Sequence, residues 1–159
     1  MGMNKFLTLT LALIASGTLH AAASERFITK IKLPSGQTVV IAEGDLEARS
    51  IGSFSVRLYA AAAPGDETTF FRAGRIRARD GTIEKVALAD VAGDQRPEIV
   101  VIARSAGTGG FLSAHAFAID EQRLTFLSTV TGLPPDADPI EALRKSNGKP
   151  KRAAAKLNR

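Results

Sequence analysis

Four groups of residues in this chain have the side chains or the backbone freedom from which sites are built. The most unusual is Arg104-Ser105-Ala106-Gly107-Thr108-Gly109-Gly110-Phe111-Leu112, where three glycines in four residues surround a single threonine hydroxyl. Glycine populates both signs of φ and adds no bulk, so such a run permits a narrow, exposed protrusion. It is not a phosphate loop, because no Gly-Lys-Ser/Thr follows and Leu112 stands where G-x-G-x-x-G needs its third glycine. The shape suits entry into another protein's cleft, and it equally suits a plain flexible hairpin.

The second group is the acidic loop Asp90-Val91-Ala92-Gly93-Asp94-Gln95-Arg96-Pro97-Glu98. Calcium loops converge oxygens at alternating positions. Here Ala92 occupies the second ligand position and Arg96 places a positive charge where an oxygen is needed, so a plain turn before a strand is expected. If the chain were a hydrolase, Asp90, Asp94 and Glu98 would be its paired carboxylates. The third group, Arg75, Arg77 and Arg79, lies on one strand face and suits either an acidic partner or a solvated surface. The fourth is His115, which sits mid-strand between Ser113 and Phe117. It is expected as a partly buried, hydrogen-bonded histidine rather than a catalytic base.

Composition removes much other chemistry. The 159 residues include no cysteine and two histidines. Disulfides, thiolate metal sites and a cysteine nucleophile are therefore excluded. Because His20 falls in the leader described next, His115 is left alone and a His-rich zinc site is excluded as well. No metal or other cofactor is expected.

Residues 1–23 read as a cleavable signal peptide, with Lys5, an apolar run from Phe6 to Ala15, and Ala21-Ala22-Ala23 before Ser24. That apolar run is about ten residues, well short of the roughly 20 that span a bilayer. A soluble exported product without stable membrane insertion is expected. The formal charge of +5 is misleading, because seven basic and no acidic residues lie from Arg144 to Arg159. Residues 24–143 hold 13 basic against 16 acidic residues, a net charge of −3. Residues 147–159 are expected to be a disordered basic tail. The body lacks basic residues interleaved with aromatics, which argues against nucleic acid as a partner.

Between leader and tail, residues 24–146 must supply the elements that position these groups. Phe27 to Leu33, Thr38 to Ala42 and Phe54 to Tyr59 alternate with the period of strands. Thr69 to Arg79 and Ile83 to Leu88 follow, separated by Asp80-Gly81, a type I′ hairpin signal. Glu98 to Ala103 is apolar on both faces, as in a central strand buried on two sides. Phe111 to Ile119 and Arg123 to Thr131 complete eight strands. Their spacing predicts an all-β fold, an eight-stranded antiparallel β-sandwich or barrel. One short C-terminal helix is expected after Asp138-Pro139-Ile140-Glu141, ending near Lys145.

Several ordered blocks resemble one family, the periplasmic inhibitors of invertebrate-type (I-type) lysozyme from Gram-negative bacteria. The blocks are Leu33-Pro34-Ser35-Gly36-Gln37-Thr38-Val39-Val40, Ala42-Glu43-Gly44, Arg49-Ser50-Ile51-Gly52-Ser53, Ser55-Val56-Arg57-Leu58-Tyr59 and Arg79-Asp80-Gly81-Thr82. They continue through Pro97-Glu98-Ile99-Val100-Val101, Arg104-Ser105-Ala106-Gly107 and Pro135-Asp136-Ala137-Asp138-Pro139. The resemblance implies an eight-stranded sandwich that inserts an S-G-x-Y loop into a lysozyme active-site cleft, with no catalysis of its own. The matching positions here are Thr108, Gly109, Gly110 and Phe111. Thr108 keeps a hydroxyl, whereas Phe111 lacks the one that the family's tyrosine carries.

The implied partner is thus lysozyme, met in the periplasm by the loop Ser105, Gly107, Thr108, Gly109, Gly110 and Phe111. Arg75, Arg77, Arg79 and Arg104 are secondary interaction candidates. A homodimer is among the assemblies that such sandwiches form. Two other readings stay open at this point: an envelope hydrolase using the acidic loop, and an envelope-binding structural protein using the basic tail.

Overall fold

A computed structural model describes residues 25–66 and 68–148, so the expected leader and most of the basic tail lie outside the described residues. Eight strands form two antiparallel four-stranded meanders that face each other as a sandwich. The first sheet holds β1 (Ile28–Lys32), β2 (Thr38–Glu43), β3 (Ile51–Tyr59) and β4 (Phe71–Asp80) in chain order. The second holds β5 (Thr82–Ala89), β6 (Glu98–Arg104), β7 (Leu112–Asp120) and β8 (Arg123–Leu133), also in chain order.

Alternation in the sequence decides which side chains meet between the sheets. Val39, Ile41, Phe54, Val56 and Leu58 of the first sheet pack against Ile99, Val101, Phe117 and Leu124 of the second. Fully burying each such side chain contributes about 1.5–3 kcal/mol. β6 has no exposed face, as expected from its β-branched run. Ile99 and Val101 enter the interior, while Val100 and Ile102 join Leu112, Ala114 and Ala116 beneath Leu143 of the helix.

That helix, α1 (Pro139–Asn147), covers the outer face of the second sheet. The Asp138 carboxylate accepts from the amides of Ile140 at 2.9 Å and Glu141 at 3.2 Å, and Pro139 opens the first turn. The helix runs two residues further than expected. Asn147, assigned from sequence to the tail, is helical and donates from its side-chain amide to the Val91 carbonyl at 2.9 Å. The ordered body therefore reaches at least that residue.

Asp80-Gly81 is not a hairpin. β4 and β5 belong to different sheets, and Gly81 is the single residue between them. Its φ of +78° is the left-handed geometry a tight turn also uses, which is why the dipeptide signals a hairpin. A Cβ there would lie 1.8 Å from the Arg104 carbonyl oxygen, so close approach of the two sheets requires glycine as well.

Candidate functional site

The glycine-rich segment connects β6 to β7 at one end of the sandwich. Its two ends are closed by the Ser105 amide donating to the Phe111 carbonyl at 2.8 Å, and a tight turn forms where Gly110 N–H donates to Gly107 C=O at 3.0 Å. Thr108 and Gly109 are the central residues of that turn, and Ala106 through Gly109 are exposed. Gly110 has φ +53°, so a side chain there would strain the turn. A Cβ on Gly109 would meet the Phe111 ring at 2.4 Å, so any side chain there displaces that half-exposed ring. The Phe111 ring thus lies back against the turn, with half of its surface exposed.

Arg104 braces this loop rather than offering itself to a partner. Its guanidinium donates to both carboxylate oxygens of Glu84, the Nη2 bond at 3.0 Å, and its Nη1 reaches the Gly110 carbonyl at 2.9 Å. The hydrogen bond from Arg104 holds Glu84 below the usual carboxylate range. Glu84 escapes a sequence reading because it is one charge on a strand 20 residues away. Only the β5–β6 register, with Thr82 opposite Arg104, brings the two together.

Beside the loop lies an open cleft of about 560 Å³, bordered by Ile51, Ala78, Phe111, Leu112 and Thr131, with His115 and Arg79 below. His115 is buried against the Phe54 ring, 5.2 Å between centroids. Thr129 donates its hydroxyl to the Ala114 carbonyl at 3.0 Å, so at 3.2 Å the His115 Nδ1 is the donor toward Thr129. Burial, with the nearby Arg77 charge second, pushes the imidazole down to about 4. It is a neutral structural histidine, as expected.

The arginine row does not form a solvated face. Its strand face points into the sandwich, where Ala73 packs on the core. Arg79 is 3% exposed and donates to the carbonyls of Ser53 (3.2 Å), Arg49 (2.8 Å), Ala48 (3.3 Å) and Gly81. It also stands 3.8 Å from the buried Glu43 carboxylate, which accepts the Ile83 amide at 2.7 Å. Arg77 lays its guanidinium over Phe126, 3.9 Å from the ring centroid. Arg75 alone is exposed, beside Arg123 and Thr125. Arg79 is therefore withdrawn as an interaction candidate, since its donors already hold the crossing between the sheets.

The acidic loop sits at the other end of β6. Asp90 accepts the amides of Gly93 at 2.6 Å and Gln95 at 2.9 Å, and buried Glu98 accepts those of Val91 at 2.8 Å and Ala92 at 3.3 Å. Asp94 accepts the Arg96 amide at 3.0 Å and pairs with its guanidinium at 3.1 Å. Oxygens of Asp90, Asp94 and Glu98 lie within 4.8 Å of one another. Their partners are the loop's own amides, the construction of a turn. The Gly93 amide, above all, holds Asp90 below its ordinary range.

Taken together, these features define a β-sandwich that presents one preformed, glycine-rich loop beside an open cleft. The family model for the periplasmic lysozyme inhibitor of I-type lysozyme, PliI, matches residues 25–147, and the chain belongs to that family. It is accordingly a periplasmic inhibitor and not an enzyme, which sets aside the hydrolase reading of Asp90, Asp94 and Glu98. Two solved structures are similar to it. The crystal structure of PliI-Ah from Aeromonas hydrophyla is 43% identical, with a TM-score of 0.69, covering 74% of this chain and 98% of that one. Aeromonas hydrophila PliI in complex with Meretrix lusoria lysozyme is 41% identical, with a TM-score of 0.69, covering 79% of this chain and 98% of that one. Comparison with curated proteins gives no match.

Proposed function

We propose that this chain inhibits I-type lysozyme by inserting the Ser105–Phe111 loop into the enzyme's active-site cleft, with Thr108 at the tip. The observation that carries the reading is the closed turn of Gly107 to Gly110, braced by Arg104, with Ala106 through Gly109 exposed. A loop already in its bound shape loses little ordering entropy on binding, so more of its contact energy appears as affinity. A lysozyme cleft holds a catalytic acid and a second carboxylate. The Thr108 hydroxyl is a donor of matching size and sits between glycines that let it approach closely. That the relative in the solved complex is bound to Meretrix lusoria lysozyme supports this choice of partner.

The test is the inhibition constant of purified variants, with melting temperature as the folding control. Thr108→Ala removes a hydrogen bond to a charged group and weakens inhibition about 10- to 150-fold. Gly109→Leu does at least as much damage, because the added side chain meets the Phe111 ring. Phe111→Tyr sharpens the test: its new hydroxyl tightens inhibition if a partner lies within about 3 Å. Unchanged inhibition by both Thr108→Ala and Gly109→Leu rejects the loop as the inserted element.

A further inference from the structure

The outer face of the second sheet lies under α1, whereas that of the first sheet is bare among the described residues, and its side chains are sorted by charge. The strand register lays them in rows. Lys30, Val40 and Arg57 are aligned across β1, β2 and β3, and Lys32, Thr38 and Tyr59 form the adjoining row. Successive outward residues on a strand are about 7 Å apart, so three cations lie within reach of one extended ligand. No Asp or Glu lies on the outward face of β1, β2 or β3, although residues 24–143 carry a net −3.

With the loop that follows β3, these rows border an open groove of about 780 Å³. Among the described residues the carboxylate at its rim, Asp66, is turned onto the Thr68 amide at 2.8 Å and hydroxyl at 2.7 Å. Arg57 Nε is buried and makes no hydrogen bond within the chain, and the half-buried Arg57 side chain lines the groove. Tyr59 supplies an aromatic surface, set edge-to-face with Phe71 at 6.0 Å, and Thr38 adds a hydroxyl.

We propose that this groove binds a peptide-bearing amino-sugar polymer of the cell-wall kind, with a sugar face on Tyr59 and the free carboxylates of its peptides on Lys30, Lys32 and Arg57. Lys30 and Lys32 are exposed along the groove's edge and Arg57 is half-buried within it, beside hydroxyls and an aromatic ring, an elongated arrangement that fits a strand-like sugar chain. Periplasmic location puts this polymer within reach, and it is the polymer that lysozyme cuts. Binding would hold the inhibitor where its target works. The inference is independent of the loop, which lies on a different part of the molecule.

Co-sedimentation of the full chain with purified peptidoglycan sacculi tests it. Lys30→Glu/Lys32→Glu weakens binding about tenfold or more, since like charge replaces attraction at two contacts. Tyr59→Ala weakens it about threefold or more through loss of the aromatic surface. The charge-matched control Lys85→Glu/Arg123→Glu, on exposed positions of the second sheet, stays within about twofold, because its charges lie outside the contact. All variants keep inhibiting lysozyme on a soluble oligosaccharide substrate, so failure here is separable from failure of the loop. Should the melting temperature of the double glutamate variant fall, Lys30→Gln/Lys32→Gln gives the same comparison with a milder change. Equal losses in both double variants would assign binding to overall charge, the basic tail included, and overturn the groove. Capture by phosphatidylglycerol vesicles but not sacculi, with the same dependence on Lys30 and Lys32, would replace the sugar polymer by lipid.

Discussion

β6 ends in two loops of opposite construction. At one end, the carboxylates of Asp90, Asp94 and Glu98 fold onto the loop's own amides, and Arg144 and Asn147 of α1 bond to the Asp90 and Val91 carbonyls at 2.9 Å. At the other, the turn from Gly107 to Gly110 carries a single polar side chain, Thr108, and is held from behind by Arg104. The loop richer in chemical groups is the one whose groups are occupied. The loop poor in side chains leaves its one hydroxyl exposed. A density of carboxylates therefore marks structure here, and the scarcity of side chains falls in the loop proposed for contact.

The largest effect should come from breaking the occupied end. Glu98→Ala leaves the buried Val91 amide and the more exposed Ala92 amide without their acceptor and destabilises the fold by about 2–3 kcal/mol, measured by denaturant unfolding. Inhibition per folded molecule stays unchanged. A weakened inhibition constant at full folding would show that the two ends communicate.

Acid should separate the two ends by pH. The fold holds His115 neutral, so its contribution is complete above the unfolded value of 6.5 and is lost as pH falls toward about 4. Across that window stability declines by up to roughly 1.4 kcal/mol per pH unit. Asp90, held below 3.8, keeps its contribution until the pH falls below that value. His115→Gln flattens the stability profile between pH 6.5 and 4 while leaving the fall at lower pH. An unaltered slope in that variant would assign the acid sensitivity to the carboxylates.

The smallest effect concerns the brace. Arg104→Met should weaken inhibition about fivefold by loosening the turn behind its exposed tip. The melting temperature should not change measurably, because the Glu84 pair lies at the surface. A large drop in melting temperature would make Arg104 a structural residue like Arg79.

Those two arginines show where sequence is legible and where it is not. The strand pattern, the doubly buried β6 and the Asp138 cap are local in sequence and read directly. The position of the glycine run between β6 and β7 follows from the same pattern. The fate of an arginine is not local: Arg79 finds Glu43 36 residues away and Arg104 finds Glu84 20 residues away. Alternation shows that Arg75, Arg77 and Arg79 share a face but not that this face turns inward. Asp80-Gly81 misleads for a related reason. Positive φ is required at a turn and equally at a crossing between sheets, and only pairing distinguishes the two. The groove on the first sheet is spread over three strands, so it becomes a row only once the register is known.

Each sheet is built from one uninterrupted half of the described chain, with every strand bonded to its neighbour in sequence and a single passage at Gly81. Nearly all strand pairing therefore closes short loops, and long-range docking is concentrated in the one step that folds the halves together. Contacts between near neighbours favour rapid folding among β proteins. A sandwich of this topology can reach its final shape without a disulfide to guide it, in a chain that contains no cysteine.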